Sequence, residues 1–425
     1  MNKKILLSVL SVSFAAQVMA NPNVIYGEDN RKEVFEASKK HKKLAHSAAT
    51  MVHKAKMSYN ENSSQKVSLE QTSLNDWFIA ASEGYGLCEG TRFSDQPNPG
   101  DCSGFLIAPD LLVTAGHCAA IENSCEEYKW VFDFKVDKKT SEAGIEINSN
   151  DIYSCKSLLT GGLNSKLGYD FAVIRLDRRV TNRTPLKINT KGDTEVKTPL
   201  VVIGSPSGLP LKVADGAEVR SNAHPNFFVA NLDTFQGNSG SAVFNDTTGT
   251  VEGILVRGEN DYVPNVKKGC FEPNVCEADK CRGEDVSKMS SIPEVMINET
   301  LLTAVEQEQE DVIAQIADYK LSLDFNLIDG KTALHKAVEK NKVKSVKVLI
   351  EKGADVNYQD AKGNTPAMIL AKKLSKSNEE ILNLLVKGGA DLEIKNDKGQ
   401  TAMAMARAKL NRAGVKILKN LESNK

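Results

Sequence analysis

Glycines at positions 330, 363 and 399 recur at spacings of 33 and 36 residues (363 − 330 and 399 − 363), each followed two residues later by a threonine and then by a run of helix formers. A period of this size means a solenoid, because each unit can bury its apolar stripe only against the next. The C-terminal third is therefore expected to be stacked helix pairs. Residues 329–357, DGKTALHKAVEKNKVKSVKVLIEKGADVN, show one unit whole, while KGNTPAMILAKK and NLLVKGGADLEI repeat its parts. A polar insertion around Ser375 to Asn378 stretches the second period.

These residues resemble ankyrin repeats. Thr332-Ala333-Leu334-His335 and Thr365-Pro366-Ala367 are similar to the start of the first helix of such a unit, and Gly353-Ala354-Asp355-Val356-Asn357 and Gly389-Ala390-Asp391-Leu392 to the loop after the second. Threonine would cap the first helix, and glycine would end the second and let the chain turn back. Residues 301–329 read as a degenerate first unit and 398–418 as a closing one with a basic, polar outer face. That makes about four units, above the three or so a stable array needs. The resemblance implies a protein-binding surface, with His335 as a helix-start hydrogen-bonding residue rather than a catalyst.

The rest of the chain follows other rules. All eight cysteines lie between Cys88 and Cys281, so disulfides are expected there and none in the last third. Lys3 and Lys4, the apolar stretch Ile5 to Ala16 and Val18-Met19-Ala20 form the pattern of a secretory signal peptide over residues 1–20, with the mature chain starting near Asn21. At 425 residues the chain exceeds one ordinary core. A formal net charge of -1 gives no reason to expect nucleic acid or an anionic membrane surface as partner. Beyond the N-terminus no apolar run is long enough to span a bilayer.

Of the six histidines, His41, His46, His53, His117, His224 and His335, only His117 stands where chemistry is expected. In CSGFLIAPDLLVTAGHC, residues 102–118, two short apolar strands flank a Pro109-Asp110 turn, and the histidine follows the second strand directly. Further on, FQGNSGSAVF, residues 235–244, reads as a tight loop feeding a strand. Ser239 cannot sit on an α/β-hydrolase nucleophile elbow, because Ser241 fills the place of the second required glycine. The string does match G-x-S-G-S, in which backbone N–H groups beside the serine can form an oxyanion hole.

Thr114-Ala115-Gly116-His117-Cys118, with Cys102 sixteen residues before Cys118 (118 − 102), resembles the histidine segment of trypsin- and chymotrypsin-like serine proteases. The resemblance implies an all-β double barrel, a Cys102–Cys118 bridge holding the histidine loop, and catalytic residues in the order His, Asp, Ser. GYDFAVIRLD, residues 168–177, supplies the acid: Asp170 heads the run Phe171-Ala172-Val173-Ile174, whereas Asp133, Asp151 and Asp177 precede no comparable run. By this resemblance Ser239 would attack the scissile carbonyl, His117 would take its proton and pass it to the leaving amine, and Asp170 would fix the imidazole. The N–H groups of Gly237 and Ser239 would hold the oxyanion.

Within that family the segment Gly237 to Ser241, and Val24-Ile25 followed by Asp29-Asn30-Arg31, resemble the bacterial glutamyl-endopeptidase, or V8-like, branch. Asn238 stands where animal trypsins carry the aspartate that pairs with a freshly cut amino terminus, so the trypsin-type activation switch is not implied; a short pro-segment Asn21 to Asn23 remains open. Leu255 stands where glutamate-specific enzymes have a pocket histidine. Asp233, six residues before Ser239 (239 − 233), stands where trypsin selects Arg and Lys. It reads either as that selector or as a structural acid, with Arg257 able to neutralise it and Gly258 flanking the substrate backbone. Val256 replaces a serine that in many relatives bonds the catalytic aspartate.

Other motifs carry less. Cys270, Cys276 and Cys281 are better explained by disulfides than by a metal, and no metal or cofactor is expected. Arg31 to Lys56 reads as a solvated helix or propeptide-like segment, and Gly204 to Gly208 as a substrate-side loop or simply a turn. The expected architecture is a signal peptide (1–20), an N-terminal segment and first-strand region (21–60), a trypsin-like domain (61–292) with a polar linker from Gly283 to Glu294, and an α-helical ankyrin solenoid (298–422). The expected function is a secreted or periplasmic serine endopeptidase acting on protein substrates, its array binding a substrate, partner or inhibitor. The alternative is an inactive or autoinhibited protease-like scaffold that binds proteins.

Overall fold

The computed structural model describes residues 25–59, 65–137, 145–164, 168–190, 194–258, 260–276, 281–292, 301–318, 323–324 and 330–423. The expected signal peptide and mature N-terminus lie outside them. Six antiparallel strands close a first barrel: Ala48–His53, Gly100–Ala108, Leu111–Thr114, Tyr128–Phe132, Ile152–Asn164 and Tyr169–Leu176. The apolar runs around Pro109-Asp110 form its tightest hairpin, with Phe105 opposite Val113 and Leu106 opposite Leu112.

A second barrel follows. Pro199–Gly204 pairs with both Ala242–Asn245 and Lys212–Ser221, which closes a ring that also contains Phe227–Ala230, Val251–Arg257 and Glu284–Lys288. Arg31–Glu33 adds to its edge beside Lys212–Ser221. One continuous apolar cluster joins the barrels, running from Phe105, Leu106 and Val113 to Ile203, Phe244 and Ile254. The cleft between two such barrels is where loops from both can meet.

Two expectations are corrected. The segment Arg31 to Lys56 is neither a solvated helix nor a lead-in: Ala48–His53 is a central strand of the first barrel, paired with Gly100–Ala108 and Tyr128–Phe132. Lys39–Ala45 is α-helical there, and Lys54–Lys56 forms one 3₁₀ turn. The expected linker is in part the strand Glu284–Lys288, buried along its whole length. Its charges hide the strand from a hydrophobic reading, yet each finds a partner: Glu284 accepts from Thr234, Asp285 through Oδ2 from Arg257 and Arg282, and Lys288 donates to the His224 carbonyl. Buried charge is tolerated only with such partners.

All eight cysteines are paired, as Cys88–Cys270, Cys102–Cys118, Cys125–Cys155 and Cys276–Cys281. The first spans 182 positions and pins an insertion, residues 70–98, to the separate hairpin of Tyr262–Asn265 and Cys270–Pro273, which lies in the chain between two strands of the second barrel. Long cross-links remove most freedom from the unfolded chain.

From residue 301 the described chain is helical. Thr332, Thr365 and Thr401 each cap the helix that follows, Ala333–Glu339, Pro366–Ala371 and Ala402–Ala408. Gly330, Gly363 and Gly399 take positive φ in the turns before them, which glycine alone adopts without strain. Helices Val343–Glu351, Glu379–Lys387 and Arg412–Ser423 complete the pairs around one apolar core. His335 is fully buried, with Nδ1 against Thr332 and Nε2 against the Asn364 carbonyl. Burial pushes its pKa down to about 4. The array meets the first barrel where Tyr358 bonds Asp110 and Arg179 bonds the Asp360 carbonyl.

Candidate active site

Strand Leu111–Thr114 is followed by Ala115, the N-cap of a single helical turn, Gly116–Ala119, that carries His117. No side chain fits at Gly116: a Cβ there would lie 2.3 Å from the Gly162 carbonyl oxygen. The Cys102–Cys118 disulfide ties this turn back to the neighbouring strand. Asp170, second residue of strand Tyr169–Leu176, is only 2% exposed. It accepts two bonds from His117, one from the backbone N–H at 3.0 Å and one at Nδ1 at 2.9 Å. That contact leaves Nε2 as the outward-facing ring nitrogen, and the imidazole is partly exposed.

Ser239 lies at the tip of the loop before strand Ala242–Asn245. Its carbonyl accepts the Ser103 N–H at 2.8 Å and lies 3.7 Å from Cys118 Sγ, so the serine backbone runs beside the residue that follows the histidine. No hydrogen bond joins Ser239 Oγ to the imidazole among the described residues, a looseness common in unliganded sites that tighten around substrate. Gly240 has φ +89°, and a Cβ there would fall 2.0 Å from the Ser103 carbonyl oxygen. The serine loop therefore presses directly on the histidine-bearing sheet.

The same loop is held from several sides. Ser103, which sequence reasoning passed over although it follows a bridging cysteine, donates its hydroxyl to the Gly237 carbonyl at 2.8 Å and accepts the Ser205 N–H. Asn238 is buried and accepts from the Ser241 hydroxyl at 3.3 Å. Among the described residues neither the Gly237 nor the Ser239 N–H is taken by a protein acceptor. Two amides flanking a serine and left open to a substrate oxygen are what an oxyanion hole requires.

The four pocket residues are not brought together as expected. Asp233 is 4% exposed and accepts the backbone N–H of Tyr26 at 2.8 Å and of Asn30 at 2.9 Å, so its carboxylate is occupied by the N-terminal segment. Burial pushes its pKa up to about 6, against those two bonds. Arg257 does not neutralise it; its Nε binds Asp285 at 2.9 Å. Leu255 packs wholly inside the second barrel beside Leu200, Val219 and Phe228, and Gly258 is buried just after the strand. The N-terminal segment also places the Arg31 guanidinium 4.1 Å from the Phe235 ring, two residues before Gly237. Nothing local in the sequence links Tyr26, Asn30 or Arg31 to residues 200 positions away.

The one cluster with metal-like spacing among the described residues is Cys102, His117 and Cys118, but both sulfurs are spent in the disulfide. The site is thus an acid, an imidazole, a serine and two open amides, which suits acyl transfer. The family model described as a trypsin-like peptidase domain matches residues 102–254, which contain all of them. A model for ankyrin repeats in three copies matches residues 283–360, and one for a single ankyrin repeat matches 362–397. The first of these overlaps the barrel strand Glu284–Lys288, ahead of the helical region. No curated protein matches the chain. With this geometry and these matches, the chain carries a trypsin-like peptidase domain followed by ankyrin repeats.

Proposed function

We propose that this protein is an exported serine endopeptidase that cuts protein substrates through an acyl-enzyme. The observation that carries the reading is the pair of hydrogen bonds that buried Asp170 accepts from His117, beside a serine loop whose amides stay open. Ser239 attacks the carbonyl as His117 Nε2 takes its proton; the imidazolium is stabilised by Asp170, and the amides of Gly237 and Ser239 receive the oxyanion. His117 then protonates the leaving amine, and water repeats the sequence to release the acid.

The V8-like branch is part of this proposal, supported by the G-N-S-G-S string and by the absence of a trypsin-type switch at Asn238. Selection of Glu by a histidine, or of Arg and Lys by Asp233, is not part of it, since Leu255 lies in the core and Asp233 is capped. Export is supported by four disulfides, and no helix among the described residues is long and apolar enough to cross a membrane. The array, as ankyrin repeats do, would bind a protein substrate or partner.

Hydrolysis of unfolded casein tests the reading. The wild-type chain should release acid-soluble peptides, and Ser239→Ala should lower the rate by about 10⁶-fold, as removal of a triad nucleophile does. An unchanged rate would contradict the assignment.

A further inference from the structure

A cavity of about 300 Å³ opens beside the serine loop, with Gln236 and Gly237 forming part of its wall. Much of the remainder comes from the insertion pinned by Cys88–Cys270. Helix Leu74–Ala81, capped by Ser73, brings Leu74, Trp77 and Phe78 to the cavity, opposite Tyr262 and Phe271. The rings are packed, with Phe78 at 4.7 Å from Tyr262 and 5.7 Å from Phe271 between centroids. Trp77 is nonetheless 47% exposed, a large apolar surface left open at the cavity.

The cavity is built rather than incidental. Ser207, at its wall, takes φ +53°, and its hydroxyl bonds Tyr262 at 2.9 Å while its N–H bonds the Gln236 carbonyl. The Gln236 N–H in turn donates to Asp261 at 2.8 Å. These bonds fix the wall to the residue just before the oxyanion amide, and strain of this kind persists where surrounding structure enforces it. In the cavity lining Lys56 and Asp101 offset each other's charge at 3.4 Å, and the third charged residue there, Asp261, is engaged by the Gln236 N–H.

Its position tells which part of a substrate it meets. Gly100 and Asp101 line it, directly before Cys102, whose disulfide partner adjoins His117. Asp233, Leu255, Arg257 and Gly258, the positions that the resemblance assigns to the acyl side, do not line it. A leaving-group side that runs from the Gly237 amide toward Gly100 and Asp101 would cross this cavity. We propose that the cavity is a specificity subsite for a large apolar or aromatic side chain in the first two residues after the scissile bond, with Trp77 as its main contact. This rests on the serine-protease reading above.

The test uses the full chain and a randomised peptide library, with cut sites read by mass spectrometry and a fluorophosphonate probe as a separate report on Ser239. Cuts should be enriched about tenfold or more for Phe, Tyr, Leu or Met at one of the two positions after the bond, the discrimination an apolar pocket can supply. Trp77→Ala should abolish that enrichment and Trp77→Phe should retain it. Labelling by the probe with cuts indifferent to those positions, or enrichment that survives Trp77→Ala, would overturn the subsite and leave the protease reading intact. No labelling would overturn the reading on which both rest.

Discussion

The Tyr358 hydroxyl of the helical array donates to Asp110 Oδ1 of the first barrel at 2.6 Å. Asp110 lies at the hairpin turn next to Leu111, and Leu111 pairs with Arg175, five residues along the strand from Asp170 (175 − 170). At ~3.3 Å per residue, ~16 Å of strand separates the array's anchor from Asp170. The anchor is thus toward the opposite end of the strand from Asp170 and its partner His117.

Loss of that hydroxyl should loosen the array without touching catalysis. Both Tyr358 and Asp110 are withdrawn from water, and a hydrogen bond to a charged group contributes roughly 1.5–3 kcal/mol. In Tyr358→Phe the amides of residues 358–360 should exchange with deuterium about tenfold faster or more, while labelling of Ser239 by a fluorophosphonate keeps its wild-type rate. Slower or unchanged exchange would show that the contact holds nothing.

Gly240→Ala tests the pressure of the serine loop on the histidine sheet. An added Cβ would lie 2.0 Å from the Ser103 carbonyl and 2.3 Å from Thr114 Oγ1, at a φ of +89° that an L-residue resists. The loop must shift, and a displacement of about 1 Å in a catalytic group can cost ~10²-fold in rate. Casein hydrolysis should fall by at least about that factor, with the far-UV spectrum preserved.

Asp233 gives an acid-side signature. Its pKa rises from 3.8 to about 6 on folding because burial disfavours the carboxylate. The folded chain therefore holds more protons than the unfolded one between those values, and this group's contribution to stability falls as pH rises from about 4 to about 6. The effect is on the order of 2–3 kcal/mol. Asp233→Asn should flatten that part of a pH–stability curve for the peptidase domain; a curve identical to wild type would contradict the shift.

His335 acts in the opposite sense. Its pKa falls from 6.5 to about 4 in the folded array, so the unfolded chain binds the extra proton in between. Stability present above about pH 6.5 should be lost as pH falls toward 4. Urea unfolding followed by helical circular dichroism should show a lower midpoint at pH 5 than at pH 7, and a smaller difference in His335→Gln.

What the sequence made legible was local. The Phe105–Val113 hairpin, Asp170 at the head of its strand and the capping threonines 332 and 365 each follow from neighbours within a few residues. What it hid was long-range. Strand Glu284–Lys288 reads as polar because its charges find Thr234, Arg257 and the His224 carbonyl only in the fold. Asp233 reads as either a pocket acid or a structural one because its partners, the amides of Tyr26 and Asn30, are some 200 positions away. Nor does any local pattern join Phe78 to Phe271, which meet beside the Cys88–Cys270 bridge.

The most direct measurement is covalent labelling of the full chain with a fluorophosphonate, followed by peptide mapping of the adduct. The account predicts one adduct, on Ser239, abolished in Ser239→Ala and slowed at least ~10³-fold in His117→Ala, because only an imidazole-activated hydroxyl reacts at a useful rate. An unlabelled wild-type chain, or an adduct on any other residue, would contradict it.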